Sequence, residues 1–446
     1  MKVFLETYGC QMNEYDSELI RTILAPHGYQ TALSEADADV LLLNTCAIRE
    51  NAHRKIYGRL DLLRPLKQQR KKEARPFVVG ILGCMAQNLK DELFDHPVVN
   101  LIVGPDNYKA LPGLIEKVAA DGGRNGRQGH RQIKADLSEY ETYEDIAPTR
   151  VSGVNAWIAV MRGCDNFCAF CVVPYTRGRE RCRSVAGIVQ ETRRLAEQGY
   201  GQVTLLGQNV NSYRHDGATF ADLISQVADV PGIRRVRFTS PHPKDFPAPL
   251  LATIAAHPNI CKHIHLPAQA GSDRILAKMN RAYTRREYLA RVDEIRATIP
   301  GVSITTDLIV GFPSESDDDF GETVDLVRRV GFDHAFIFKY SQRSGTIAER
   351  DFPDDVPPEV KTERIVRLLD LQRAVSLQKH QERIGQTLDV MIEGADEKRA
   401  GWMMGKSDGN LTVLFPATPH SVGTILPVQI ARATPSALHG IGPSCG

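Results

Sequence analysis

The chain has 446 residues, a formal net charge of +1, 24% charged residues and nine cysteines. That length calls for about two to four domains, and the near-neutral balance excludes a globally basic nucleic-acid binder, so any such surface is local. Nine cysteines in a chain this long are too few for a disulfide scaffold, no apolar run approaches the ~18 residues of a membrane span, and Met1 to Glu6 carry no signal-peptide core; a cytoplasmic protein with no membrane partner is expected.

The first apolar run, Lys2 to Tyr8, ends at Gly9-Cys10, and residues 16–27 then place Leu19, Ile20, Ile23 and Leu24 at helical spacing. The same strand, loop, helix pattern returns at residues 40–46 and 77–85. Each run ends in a cysteine: Cys10, Cys46 and Cys84. Strands this uniformly apolar predict a parallel sheet covered on both faces, with ligands gathered beyond the carboxyl ends. One cysteine at a strand end is an ordinary small core residue, whereas three in matching positions suggest convergence. Arg64, Lys67, Arg70, Lys71, Lys72 and Arg75 form a basic stretch that reads equally as a solvated helix face or a phosphate-binding one. Residues 121–147 are polar and glycine-rich, the composition of an inter-domain linker.

After the apolar segment 156–160 come Cys164, Cys168 and Cys171, with gaps of three and two residues. Four-iron clusters are normally held by four thiolates, so three leave one iron open to a substrate. A zinc site would want a fourth Cys or His at short spacing, and none follows; the two-cluster electron-carrier run Cys-x2-Cys-x2-Cys-x3-Cys-Pro is also absent. Strand candidates recur at 157–161, 203–206, 236–238, 263–266, 304–310 and 335–340 with helix-length segments between them, predicting a parallel barrel-like sheet. Polar residues at the strand ends, among them Gln208, Asn209, His265, Gln269 and Gly311, should face the barrel mouth. Arg162, Arg177, Arg179, Arg181 and Arg183 crowd the cysteines beside Phe167 and Tyr175, and Arg234, Arg235 and Arg237 add to them. Guanidinium groups among aromatic rings suit a splayed RNA loop, the alternative being pairing with carboxylates. Beyond the charged helical stretch 359–381, short strands punctuated by glycines predict a small β-barrel. With five Lys/Arg against six Asp/Glu over residues 381–446, charge alone does not mark that module as RNA-binding.

The spacing of Cys164, Cys168 and Cys171, with Phe170 before the last, resembles the signature of radical S-adenosylmethionine enzymes. The resemblance implies that S-adenosylmethionine chelates the open iron and that one electron cleaves its sulfonium to a hydrogen-abstracting 5′-deoxyadenosyl radical. Tyr8-Gly9-Cys10-Gln11-Met12-Asn13, Asn44-Thr45-Cys46-Ala47-Ile48-Arg49-Glu50-Asn51 and Gly83-Cys84-Met85-Ala86-Gln87 closely resemble the methylthiotransferases within that superfamily, as do His265 to Ser272, Thr306 to Pro313 and Tyr340 to Thr346. Two departures are Ala270 and Cys182, where relatives usually carry Ser.

This resemblance implies an α/β fold: an N-terminal parallel-sheet, Rossmann-like domain (1–118), a linker (119–149), a partial six-unit barrel as the radical core (150–379), and a small antiparallel β-barrel similar to the TRAM domain (380–446). It implies two four-iron clusters, one on Cys164, Cys168 and Cys171 and a second, sulfur-bearing one on Cys10, Cys46 and Cys84. Phe170, Gln208, Asn209, His265, Gln269 and Gly311 would contact S-adenosylmethionine. Tyr8 to Asn13, Gly83 to Gln87 and Cys171-Val172-Val173-Pro174-Tyr175-Thr176-Arg177-Gly178 are most similar to the branch that methylthiolates C2 of N6-isopentenyladenosine beside the tRNA anticodon, using two S-adenosylmethionine per turnover. The alternatives are threonylcarbamoyladenosine in tRNA or an aspartate of a ribosomal protein. Implied partners are the tRNA anticodon stem-loop and a flavodoxin or ferredoxin as electron donor, with the enzyme a monomer.

Overall fold

The computed structural model describes residues 1–47, 50–73, 75–120, 131–150 and 153–441. It divides into two compact units, and chain order does not follow them: Met1–Val151, Met161–Arg183 and Arg343–Thr346 form one, and Ser152–Val160, Ser184–Gln342 and Ile347–Gly446 the other.

The first unit is built on a six-stranded parallel sheet. Its order across the sheet is Gln30–Thr31, Lys2–Thr7, Val40–Thr45, Val78–Gly83, Leu101–Val103 and Gln132–Lys134. Val40–Thr45 and Val78–Gly83 are buried along their whole length, as a strand covered on both faces must be. Successive side chains alternate between two cores. Leu42 and Leu82 join Leu19, Ile20, Tyr108 and Ile115 on one face, while Leu41, Leu43 and Ile81 join Leu60, Leu63 and Met85 on the other. The stretch read as a linker is in part folded structure. Gln132–Lys134 adds the edge strand beside Leu101–Val103, and the fully buried Tyr143 donates its hydroxyl to Pro105 O at 2.9 Å. Composition missed this because one edge strand and one anchoring ring are enough to fix a polar segment; residues 121–130 of that stretch lie outside the described residues.

In the second unit, six parallel strands follow one another in chain order as two three-stranded sheets, Asn155–Ala159, Gln202–Leu206 and Arg235–Phe238, then His263–His265, Ser303–Val310 and His334–Lys339. An isolated parallel bridge from Val236 to Ile260, just ahead of His263–His265, brings the start of the second sheet beside the edge of the first, giving the expected partial barrel. After the helix Pro358–Gln381, five strands between Thr387 and Ile441 close a small barrel. That barrel is not wholly antiparallel, since Thr412–Pro416 pairs in parallel with Leu438–Ile441. Parity requires it: an odd number of strands cannot alternate in direction all the way round a closed ring.

Arg235 and Arg237, read from sequence as part of an RNA surface, are instead buried. Arg235 donates to Lys406 O at 2.6 Å and Asp389 O at 2.7 Å, and Arg237 to Ser407 O at 2.7 Å and Asp408 O at 3.0 Å. Arg234 reaches Gly423 O at 2.6 Å. Period-two alternation puts Arg235 and Arg237 on one face of their strand, where their charged forks satisfy carbonyls of the C-terminal barrel. Hydrogen bonds to charged groups contribute about 1.5–3 kcal/mol each. Arg235→Ala with Arg237→Ala should therefore loosen that barrel selectively. Amide hydrogen exchange should speed up across 387–441 and stay unchanged in the first unit; unchanged exchange in 387–441 would show that something other than these arginines holds the barrel.

Candidate functional site

Register gathers the N-terminal cysteines. Lys2–Thr7, Val40–Thr45 and Val78–Gly83 are neighbours, with Thr7 opposite Asn44 and Thr45 opposite Gly83, so Cys10, Cys46 and Cys84 all leave the sheet at one carboxyl edge. Gly9 permits the crowding there. Its φ is +137°, and a Cβ on it would stand 2.6 Å from Cys46 Cβ, so only glycine lets the Cys10 turn approach this closely. Hydrogen bonding with the Cys46 thiol leads the effects that pull Cys10 down to about 6, overcoming burial with help from the Arg177 charge. Burial pushes the Cys84 thiol up, and Arg177 opposes it.

The second set of cysteines sits on a closed loop. Met161–Arg162 pairs antiparallel with Arg181–Cys182 at its base, and Cys164 N donates to Gly178 O at 3.1 Å. Gly163, at φ +81°, makes that closure possible, because a Cβ there would lie 2.0 Å from Arg179 O. Cys171 N then bonds Cys168 O at 2.9 Å to turn the chain between the last two thiols. Cys164 and Cys168 are buried and Cys171 is half-buried. The Asn166 amide approaches Cys164 Sγ at 3.6 Å, and burial pushes that thiol up to about 11. Phe170 is half-buried in the same loop.

All six cysteines lie in the first compact unit, and buried charge ties their two segments together. Asp16 is fully buried and takes Arg162 Nη2 on one oxygen at 2.7 Å and Arg177 Nη2 on the other at 2.8 Å. The Tyr108 hydroxyl adds a contact at 3.4 Å. Arg177 also bonds Asn13 Oδ1 at 3.1 Å and sends its Nε to Cys84 Sγ at 3.2 Å. Arg162 lies over the Tyr143 ring at 4.6 Å, and Arg181 holds Asp106 at 3.0 Å and 3.1 Å. Behind them, Val172 packs with Ala47 and Cys84. Burial opposes ionisation of Asp16, but the charges of Arg162 and Arg177 outweigh it and hold the carboxyl below its ordinary range.

The donor set suits an anionic group. Among the described residues no three Cys, His, Asp or Glu side chains close round a single ion, whereas a four-iron cluster binds each thiolate to a different iron. Arg177 is 3% exposed, and its Nη1 has no hydrogen-bond partner among the described residues. Two buried guanidiniums also share the one carboxylate of Asp16, leaving positive charge beside the N-terminal thiols. Buried charge without a counter-charge costs several kcal/mol; the lowered Cys10 thiol already favours a thiolate there, and thiolates bound to iron would supply the same compensation. A thiol held as high as Cys164 becomes a thiolate only with a metal or cation close by.

Three family models match in succession: the uncharacterized protein family UPF0004 over residues 2–104, the radical SAM superfamily over 158–327 and the TRAM domain over 381–441. The tRNA-2-methylthio-N(6)-dimethylallyladenosine synthases of Phocaeicola vulgatus and Porphyromonas gingivalis are each 44% identical to this chain over 445 residues, covering 98% of it and 95% and 94% of themselves. The chain belongs to this synthase family. Among solved structures, the radical S-adenosylmethionine methyltransferase TsrM from Kitasatospora setae aligns over 78% of this chain and 77% of its own, with a TM-score of 0.58 and 15% identity, a likeness of fold alone.

The remaining expected contacts of this family member lie in the second unit. The Asn209 amide bonds Asp245 Oδ2 at 3.2 Å, beside the half-buried Gln208. His265 is held between Thr305 Oγ1 at 3.0 Å and Asp307 Oδ2 at 3.4 Å. Gln269 adopts a left-handed φ of +69°, and its backbone is pinned to Asp307 O at 2.9 Å and to Ile309 N at 2.8 Å. Strain of this kind is held only where surroundings enforce it and clusters at functional sites. The N–H of Gly311 is taken by Glu315 at 2.6 Å. Cys261 is buried in this unit and pushed up to about 12 by burial. Cys182 stands on the ladder at the base of the cysteine loop, and Cys445 lies outside the described residues.

The arginines around the cysteine loop are not the RNA-binding surface their sequence suggests. Arg162, Arg177, Arg181 and Arg183 are buried, and only Arg179 is exposed, paired with Asp165 at 2.7 Å over the Phe167 ring. The basic stretch 64–75 is divided in the same way. Lys67 reaches Val98 O at 2.6 Å and Asn100 Oδ1 at 2.7 Å, and Arg70 is buried against Ala38 O, while Lys71, Lys72 and Arg75 face solvent. Sequence reading passed over Asp16, although a signal was there: it falls in phase with Leu19, Ile20 and Ile23 on the buried stripe of Gln11–Leu24, where a carboxylate needs a partner.

Breaking one side of a buried ion pair costs about 3–5 kcal/mol, so Asp16→Asn should destabilise the metal-free protein by roughly that much at pH 7. A carboxyl held below its ordinary value contributes fully above about pH 4 and loses that contribution as acid passes through its native value. Denaturant unfolding from pH 7 to pH 3 should thus show the gap between parent and Asp16→Asn narrowing only at the acid end. A gap independent of pH would show that Asp16 does not act as a carboxylate.

Proposed function

We propose that the protein transfers a methylthio group to C2 of N6-isopentenyladenosine next to the anticodon of tRNA, consuming two S-adenosylmethionine, one as methyl donor and one as radical source. The observation that carries this reading is the near full-length likeness to the synthases, joined to two cysteine triads within one compact unit. Cys164, Cys168 and Cys171 would hold one four-iron cluster that binds and reduces S-adenosylmethionine, and Cys10, Cys46 and Cys84 a second that bears the sulfur to be transferred.

The chain's own residues orient and shield these centres. The ladder at 161–162 and 181–182 closes the base of one loop, and the ion pairs of Asp16 and Asp106 fix it beside the other. Phe170, Gln208, Asn209, His265, Gln269 and Gly311 are proposed to surround S-adenosylmethionine. Asp245 and Thr305 hold Asn209 and His265 ready, because a ligating side chain already fixed by a hydrogen bond loses less freedom on binding. Partners in this reading are the tRNA anticodon stem-loop and a flavodoxin or ferredoxin, with the enzyme a cytoplasmic monomer; no helix among the described residues is long and apolar enough to cross a membrane.

Replacing Cys10, Cys46 and Cys84 together should leave reductive formation of 5′-deoxyadenosine intact while methylthiolated nucleoside and methyl transfer to acid-labile sulfide disappear. Replacing Cys164, Cys168 and Cys171 should stop both the radical and the product. The change of Cys182, Cys261 and Cys445 to Ser should leave anaerobic iron near about eight per chain, the content of two four-iron clusters. Mass spectrometry of tRNA nucleosides from a deletion strain identifies the base: loss of methylthio-isopentenyladenosine supports the reading, and loss of a modified threonylcarbamoyladenosine, or of a ribosomal-protein aspartate modification, would overturn it.

A further inference from the structure

The ion pair with Asp16 that helps to fix the cysteine loop uses only part of Arg177. This arginine closes the short helix Val173–Arg177, six positions beyond Cys171 in the chain, yet its guanidinium is spent on the helix Gln11–Leu24 and on Cys84. Nε donates to Cys84 Sγ at 3.2 Å. One Nη2 bond goes to Asn13 Oδ1, the same oxygen that lies 3.8 Å from Cys10 Sγ. The other goes to Asp16, which Arg162 already occupies. Asp16 therefore cannot neutralise both arginines, and Nη1 of Arg177 remains buried with no protein partner among the described residues. If Arg177 served only the fold, a single ion pair would satisfy it; a donor on a thiol sulfur and surplus positive charge suit an anion built on those sulfurs.

We propose that Arg177 is a positioning residue for the N-terminal iron–sulfur centre, compensating its negative charge and setting its reduction potential through the N–H to Cys84 sulfur. This rests on the reading that Cys10, Cys46 and Cys84 hold such a centre. One-electron reduction adds one negative charge beside Arg177, so the guanidinium favours the reduced form; hydrogen bonds to cluster sulfurs and local net charge set potentials in the same way. Because Arg177 is carried by the segment that bears Cys164, Cys168 and Cys171, the chain that shapes one centre also tunes the other.

The test uses the full chain with Cys164, Cys168 and Cys171 all changed to Ala, reconstituted so that only the N-terminal centre remains, with its midpoint potential read by electron paramagnetic resonance during redox titration. In that background Arg177→Gln should lower the ratio of reduced to oxidised centre at fixed potential at least tenfold, about 59 mV for one electron. Arg177→Lys, which keeps the charge but not the directed Nε bond, should shift it less and in the same direction. An unchanged potential in either variant that retains iron would overturn the proposal. Loss of iron from both variants together with melting of the N-terminal sheet would also overturn it, assigning Arg177 to the fold alone. If the parent triple-Ala protein itself holds no iron, the assignment of Cys10, Cys46 and Cys84 has failed, a result separate from any difference among the Arg177 variants.

Discussion

A single buried carboxylate constrains the whole N-terminal unit. Asp16 is fully buried, so its charge must be met by cations, and both that meet it come from the loop that carries the second cysteine set. Ion pairs at this depth do little for net stability compared with well-packed apolar groups, because desolvation consumes most of the Coulomb gain. Their value here is geometric: a bond to each oxygen of Asp16 fixes where residues 161–183 sit, and with them Cys164, Cys168 and Cys171. The same arrangement leaves one guanidinium more than the carboxylate can balance, so the electrostatics of the cysteine edge depend on what the thiols hold.

Much of this architecture was legible in the residues. The uniformly apolar runs at 40–46 and 77–85 read as fully buried parallel strands, and cysteines at their matching ends read as neighbours, because parallel register carries equivalent positions to one edge. The six strand segments of the central barrel fell within a residue or two of their observed places. Spacing among Cys164, Cys168 and Cys171 singled out a loop of neighbouring thiols because three thiols within eight residues cannot separate.

What the residues concealed was exposure. Arg162, Arg177, Arg181, Arg235 and Arg237 looked like a basic surface, and each is buried, since composition counts a charge without saying what faces it. Their partners lie far off in sequence: Arg162 meets Asp16 across 146 residues and Arg237 meets Ser407 across 170. Half of the pairings are to backbone carbonyls, which carry no letter in the sequence at all. The folded part of the supposed linker was hidden for a related reason, as an edge strand such as Gln132–Lys134 needs no apolar pattern when only one side of it is covered.

The interleaving of the chain bears on how the protein is made. The last strand of the N-terminal sheet ends at Lys134, but the same unit also takes in Met161–Arg183 and, much later in the chain, Arg343–Thr346. At ~5–20 residues per second, translation from Lys134 to Arg183 takes roughly 2–10 s. During that interval the helix Gln11–Leu24 carries an unpaired Asp16 on a face that must be buried, and the cysteine edge lacks its cover. Until Arg162 and Arg177 are made, Asp16 has neither of the guanidinium partners it meets in the folded unit. The consequence is one of order: residues at the start of this unit cannot reach their folded pairing until chain well beyond the sheet has been made.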